Sequence, residues 1–421
     1  MLFDQPTRAA AADDFGHLVH RTPHAVLPPA SAADVASAVH WAADHGLRFA
    51  PQGRRHSVFG RSQVDGGVVA EMTTLRTVHA VEDDRVVVDA GATWRDVLAK
   101  TLPRVPAGLP DYLDLSVGGT LAVGGVGAQI SRTGALSDNV LEMEVVTGRG
   151  EILECSHGDL FDAVRAGLGQ IGIITRATLA LVPAATHVCR HLLVYPDLPT
   201  MLADQRLLAG DDRFAAVQGA VLAAPDGGWT FRLDAVADTE ADLTGLSDDR
   251  RHAQVVTMTQ LDHLDRLAQL ERALRANGQW SLPHPWLTTF VGDVVVEAVV
   301  TAELDRLTPA DLGPFGQVVV SAFRGRAVTS PLLRLPADSL CFTFNLIRIP
   351  ASGEAAERLV AANRDVYERI RDAGGTLYPA SALPMSGADW RDHFGPAFDR
   401  FGAAKEEFDP GHVLTPGYEV F

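Results

Sequence analysis

The sequence predicts an α+β protein of two domains, and three observations carry that prediction. Its 421 residues exceed what a single ordinary core organises. Glycine is concentrated in two dense clusters of the first half, "GRRHSVFG" at 53–60 and "LSVGGTLAVGGVGAQISRTGALSDN" at 115–139. From "LVPAATHV" at 181–188 the texture changes: strand-like runs alternate with long helical ones, and no comparable glycine cluster recurs. These shifts divide the chain into residues 1–185, a second domain at 186–376 and a C-terminal segment at 377–421 that returns to the first.

Each element has its own signal. Ser31 is an N-cap, and Val35, Ala38, Val39 and Ala42 recur at helical spacing until Gly46. "LRFAPQG" reads as a strand, "GGVVAEM" as a buried one and "VHAVEDDRVVVDAG" as two strands about an acidic turn, after which Thr93 caps a helix over "WRDVLAKTL". The glycine-dense segment 115–139 is expected to form no regular helix and no central strand, because glycine loses the most backbone entropy in either. "VLEMEVVTGRGEILEC" is a hairpin turning at 148–150, and "DLFDAVRAGL" is a helix ending near Gly169. In the second domain "GWTFRLDAVA", "PFGQVVVSAFRG" and "LCFTFNLIRI" read as strands. "TQLDHLDRLAQLERALRANG" and "GEAAERLVAANRDVYERIRDAG" read as one long helix each, and the tail as a helix with an aromatic end that packs back.

A net charge of −17, with 47% apolar and 21% charged residues, describes an ordinary globular chain whose field repels nucleic acid and anionic lipid. Cys155, Cys189 and Cys341 are too dispersed for a disulfide framework or a CxxC site, and no metal is expected. Asp4, Arg8, Asp13 and Asp14 interrupt any signal-peptide core, and no run reaches the ~20 apolar residues of a membrane span. The expectation is a cytoplasmic protein.

Two glycine clusters in one domain point to backbone N–H groups closing on an anion, for which a pyrophosphate is the natural guest; each cluster alone reads equally as tight turns. A nicotinamide-binding Rossmann site competes poorly, since "GGVGAQ" lacks the GxGxxG spacing and the flanking strand and helix.

The runs "GRRHSVFGRSQVDGGVVAEMTTL", "VDAGATWRDVL", "PDYLDLSVGGTLAVGGVGAQISRTGALSDNVLEMEVVTGRGEILECS" and "LFDAVRAGLGQIGIITRATLALVP" resemble the FAD domain of the vanillyl-alcohol oxidase, or PCMH-type, superfamily. "HPWLTTFV", "LCFTFNLIRI", "WRDHFG" and "FDPGHVLTPGYEVF" extend the resemblance to the cytokinin dehydrogenases, in order and over nearly the whole chain. The resemblance implies a PCMH-type FAD-binding fold joined to a substrate domain of antiparallel sheet covered by helices.

It also implies roles. Gly53, Arg54, Arg55, His56, Ser57 and Gly60 stand in the turn that bends around the FAD pyrophosphate, with His56 at the place of the histidine that bonds covalently to the flavin. Arg55 replaces the glycine usual before that histidine. Gly118, Gly119, Thr120, Gly125 and Gln129 match the loop along pyrophosphate and flavin, Ile173 and Ile174 the segment nearing the adenosine half, and Tyr418 the place of a common glutamine. No cysteine occurs in residues 112–154, which excludes the second, cysteinyl link of berberine-bridge-type enzymes. Asp111 matches the active-site aspartate; its residue-level alternative is a turn cap after Pro110, and Asp114 competes for the role. Trp286, Thr288, Leu377 and Tyr378 fall at the substrate pocket, where Thr288 and "LYPASAL" depart from the family pattern.

The implied reaction moves a hydride from a C–H bond beside nitrogen or oxygen of a small molecule to flavin N5, with oxygen or another acceptor completing the cycle. The pocket departures favour a specialised-metabolite amine or alcohol over a cytokinin. A flavin-containing binding or non-redox protein is the reading from another class.

Overall fold

Three sheets organise the chain in a computed structural model that describes residues 1–224, 227–350 and 352–421. The first is parallel, in the order Ala25–Leu27, Val68–Glu71, Phe49–Gln52. The helix Ala32–Asp44 covers it, capped by Ser31 Oγ, which accepts from the Asp34 N–H at 3.2 Å. That helix buries the expected stripe of Val35, Ala38, Val39 and Ala42 against Phe49, Val68 and Ile173.

The second sheet is antiparallel: Val78–Val81, Arg85–Asp89, Gly172–Pro183, Val140–Thr147 and Ile152–Cys155, with Arg104–Pro106 also on the long central strand. The third holds eight antiparallel strands, running Gln254–Thr259, His187–Tyr195, Trp229–Ala237, Ala216–Ala223, Gln317–Arg324, Leu340–Ile347, Leu287–Gly292, Thr376–Leu377. Helices cover one face of it. From Leu198–Gly210, the Gln205 side chain bonds the Val320 carbonyl and the Ala322 N–H at 3.0 and 2.8 Å, and Gly353–Asp372 packs on the other end. Strand alternation sends Val318, Val320, Phe344 and Leu346 to that covered face, all fully buried. The opposite face is left to line a cavity.

Four sequence expectations are corrected. The glycine-dense segment does form helix, over Val117–Val123 and Ile130–Thr133. Packing overrides propensity there: the Gly118 N–H bonds the Ala90 carbonyl at 2.7 Å, a Cβ on Gly118 would meet the Ala90 Cβ at 2.7 Å, and the Trp94 indole donates to Thr120 Oγ1. The helix expected to reach Gly169 stops at Val164, where the chain becomes a strap. Its Ala166 and Leu168 N–H groups bond the Leu121 and Ala122 carbonyls at 2.9 and 2.8 Å.

The single helix expected over 259–278 breaks between Gln260–Leu264 and Leu267–Ala276. The residues at the break are claimed from elsewhere in the fold: Arg95 holds Asp265, and Asp111 holds Arg266. The tail carries two helices, Gly387–Phe394 and Ala397–Phe408, divided at Gly395, whose φ is +52°. Beyond them the chain lies on the first sheet, where Phe49 exchanges backbone bonds with Val413 and Thr415 at 2.7 Å. The buried pair Lys405–Asp409, 2.6 Å apart, anchors this return.

Candidate active site

A cavity of about 500 Å³ opens between the glycine-rich turns and the bare face of the eight-stranded sheet. The strand Phe49–Gln52 delivers one turn into it. A Cβ on Gly53 would sit 2.1 Å from Ser116 Oγ, so only glycine lets the two clusters close on each other. Arg55 follows with φ +54°, the left-handed conformation that explains why glycine is usual at this place. Its guanidinium is turned to the Ala10 carbonyl, which ties the turn to the helix Gln5–Ala11.

Asp14 shapes the rest of the turn, and no local sequence signal marks that role, because the two turn residues it holds, Ser57 and Gly60, lie more than forty residues away. Its carboxylate accepts from Ser57 Oγ at 2.6 Å, the Gly60 N–H at 2.7 Å and the Gly16 N–H at 3.0 Å. Burial nevertheless pushes this acid up to about 6.

His56 is thereby presented in the cavity wall. Its ring stacks between Phe15 and Tyr112, with centroids 4.1 and 4.7 Å away, and Trp286 stands edge-on at 6.2 Å. Burial, helped by His284 and Arg54, lowers the imidazole to about 3. It is therefore neutral at physiological pH and keeps a nitrogen lone pair for bonding to carbon or metal.

The sheet wall follows from register. Asn345 pairs with Val319 on one side and Thr288 on the other, so the three form a cross-strand row facing the cavity. The Asn345 Oδ1 is out of solvent and, among the described residues, has no hydrogen-bond partner. Trp286 is fixed by its indole N–H to the Arg348 carbonyl at 3.1 Å. Tyr378 accepts from the Gly125 N–H at 3.2 Å, linking the sheet edge to the glycine-rich wall. Ser381 ties the two departures from the family pattern into one clasp: it accepts from the Thr288 N–H at 2.9 Å and donates toward the Thr288 and Tyr378 carbonyls.

Asp111 lines the cavity and pairs with Arg266 at 2.6 Å, both half-sheltered from solvent. Arg266 was legible only as one more charge on a helix. Asp114 lies off the cavity wall, where Arg95 binds it at 2.9 Å and lowers its pKa. Tyr112 donates to Glu271 at 2.7 Å, which brings a second carboxylate to the rim.

Of the other expected residues, Gly53, Arg54, Arg55, His56 and Ser57 meet Gly118, Gly119, Thr120 and Gly125 around the cavity. Ile173, Ile174, Trp286, Thr288, Tyr378 and Tyr418 also line it. Gly60, Gln129 and Leu377 do not. Gly60 is spent on its bond to Asp14, Gln129 precedes the short helix at Ile130, and Leu377 is fully buried in the main core opposite Thr289.

The donor set fits a dinucleotide carrying an anionic linker and a flat ring. Backbone at Gly53 and Gly119 closes to where a Cβ would meet Ser116 Oγ at 2.1 and 2.9 Å, and a buried arginine, Arg61, lines the same space, its Nε without a partner among the described residues. Comparison with known proteins agrees. An FAD-binding domain family matches residues 23–156, and the FAD- and cytokinin-binding domain family of cytokinin dehydrogenase matches residues 232–421. The chain is 38% identical to an uncharacterised oxidoreductase of the fasciation locus of Rhodococcoides fascians, over 98% of this chain and 96% of that one. It is 32% identical to cytokinin dehydrogenase 6 of Oryza sativa subsp. japonica, covering 99% and 90% of the two chains, and 29% identical to cytokinin dehydrogenase 2 of Arabidopsis thaliana, covering 98% and 92%.

Fold and site together are those of an FAD-dependent oxidoreductase with the two-domain PCMH-type architecture. The chain belongs to the cytokinin dehydrogenase family. Among the described residues no helix is long and apolar enough to cross a membrane.

Proposed function

We propose that this protein oxidises a flat heterocyclic amine, with N6-alkylated adenines as the leading substrate class, and that Asp111 takes the amine proton. The observation that carries the reading is the carboxylate of Asp111 on the wall of a cavity that Tyr112, Trp280 and Trp286 also line. Bound FAD would supply the two-electron acceptor for the substrate hydride.

The chain's own residues do the remainder. Trp286 offers an indole face to a planar ring, and Asn345 offers a carbonyl oxygen to one of its N–H groups. Asp111 accepts a proton from the amine nitrogen as the neighbouring C–H bond breaks, which leaves a neutral imine. Arg266 holds the carboxylate in place between turnovers. His56, neutral and stacked at the wall, is suited to a covalent bond with the flavin ring, with Gly53, Gly118 and Gly119 along the diphosphate.

The substrate departures give a second reading, oxidation of another amine or alcohol. The Ser381 clasp on Thr288 weakens it, since both departures are used to hold the wall together. Anaerobic mixing with isopentenyladenine decides between them: bleaching of the flavin band within seconds supports the first, and an unchanged band in which another amine or alcohol does bleach supports the second.

A further inference from the structure

The break after Leu264 separates a helix that is anchored from one that is not. On the first, Leu264 packs into the main core and His263 is buried. On the second, Leu267–Ala276, the apolar residues Leu267, Leu270 and Leu274 recur at i, i+3 and i+7 and make one stripe. All three line the cavity, and none joins a hydrophobic cluster of the described residues. The stripe rests on the space of the cavity instead of on packed protein. Without packing of that kind a helix of ten residues is marginal in water.

Its two ends are fixed. Arg95 holds Asp265 at 2.8 Å and Asp111 holds Arg266 at 2.6 Å, which pins the break. At the other end Gly278, at φ +70° and in open space, turns the chain, and Trp280 then packs on Phe15 with ring centroids 4.8 Å apart. Between these points one side-chain hydrogen bond, among the described residues, ties the helix to another element: Tyr112 Oη donates to Glu271 Oε2 at 2.7 Å. Arg275 adds no second tie of this kind, since it pairs with Glu271 on its own helix and lies over Trp280 just past the turn. Leu270 and Phe315 are the large apolar residues of the lining that stay open to solvent, 40% and 37% exposed. The helix therefore borders the mouth.

We propose that Leu267–Ala276 is a lid: it lifts as a unit about Asp265–Arg266 and Gly278, the Tyr112–Glu271 bond is its latch, and a ligand in the cavity shuts it by giving the leucine stripe a surface to pack on. Opening is cheap because it uncovers the cavity and not the core, which places this helix at the low end of local stability. Asp111 stays out of the movement, because it is bonded to the pivot. The inference rests on the cavity admitting a ligand, whichever amine that is.

The test is hydrogen exchange of the holoenzyme, read by mass spectrometry, for wild type, Y112F and E271A. Y112F keeps the ring stacked on His56 and removes only the latch hydroxyl. In wild type the amides of 271–276 are expected to exchange together, ahead of those in the helix Gly353–Asp372. Either substitution is expected to speed them about tenfold or more, the worth of a hydrogen bond to a charged group, and to leave Gln260–Leu264 and Gly353–Asp372 unchanged. Equal rates in wild type and both variants overturn the proposal. So does a rise shared by all three helices, since the bond would then hold the fold and not a lid. Should a variant fail to fold, wild type alone decides: 271–276 exchanging no faster than Gly353–Asp372 overturns the lid.

Isopentenyladenine, added anaerobically, separates this inference from the substrate reading. If the flavin band bleaches, exchange at 271–276 is expected to slow about tenfold or more, and unchanged exchange there overturns the lid. If the band is untouched, the substrate reading fails and the comparison of wild type with Y112F still settles the lid.

Discussion

The two walls of the cavity are built in opposite ways. On the glycine-rich side, residues adjacent in sequence are adjacent at the site: 53–57 form one turn and 116–125 the short helix and loop it touches. On the sheet side, neighbours come from distant strands, as in the row Val319, Asn345, Thr288, and each strand contributes only alternate residues. A turn that must close on an anion is constrained residue by residue through backbone sterics. A sheet face is constrained only to fill its space, so its chemistry can change while the frame persists. The first wall should therefore govern cofactor retention, and the second what is oxidised.

The largest effect is expected where the walls meet. Asp111→Asn should slow flavin reduction by about 10²–10⁴-fold in anaerobic stopped flow while the protein stays yellow, as removal of a general base does. A rate within threefold of wild type would move the proton acceptor elsewhere, with Glu271 the next carboxylate at the rim.

Asp14→Asn comes next and acts on the glycine-rich wall alone. It disturbs bonds to Ser57, Gly60 and Gly16 and should cost about 2–4 kcal/mol of stability. The pH dependence has a definite sign. The folded acid titrates at about 6, above its unfolded value of 3.8, so the native state binds the extra proton in between. The contribution of Asp14 is full below about pH 4 and is lost as the pH rises through 6. The difference in melting temperature between wild type and variant should narrow over that window; a constant difference would mean that Asp14 is not desolvated.

On the sheet wall, Asn345→Val should leave flavin content untouched and lower kcat/KM about tenfold, the worth of one buried polar contact. Loss of flavin in this variant would break the division of labour between the walls. The smallest effect is expected at Arg55. Arg55→Gly relieves a left-handed residue but gives up the tie to Ala10, two terms of about 1 kcal/mol that oppose each other, so the melting temperature should shift by only a few degrees.

This asymmetry also accounts for what could be read in the chain. His56, Gly53 and the loop around Gly118 stand out because turn chemistry is local, and Ser31 and Thr93 announce their helices for the same reason. Asp14, Arg61 and Arg266 do not. Asp14 reads only as one of four charges that interrupt a signal-peptide core, Arg61 follows a motif without belonging to it, and Arg266 lies in what looks like the middle of a helix. Each acquires its meaning from a partner that only the fold brings near: Ser57, Tyr418 and Asp111 respectively. The helix at Val117–Val123 was hidden by its own glycines, since the packing on Ala90 that makes it helical is invisible to propensity.

The most direct test of the account is a visible absorption spectrum of the purified protein, taken before and after acid precipitation. Flavin bands in solution and a pellet that stays yellow after washing are the result predicted by the proposal that FAD occupies the cavity and is bonded to His56. A yellow solution with a colourless pellet would remove the bond at His56. A protein that is colourless and takes up no FAD on incubation would contradict the assignment of the cavity itself.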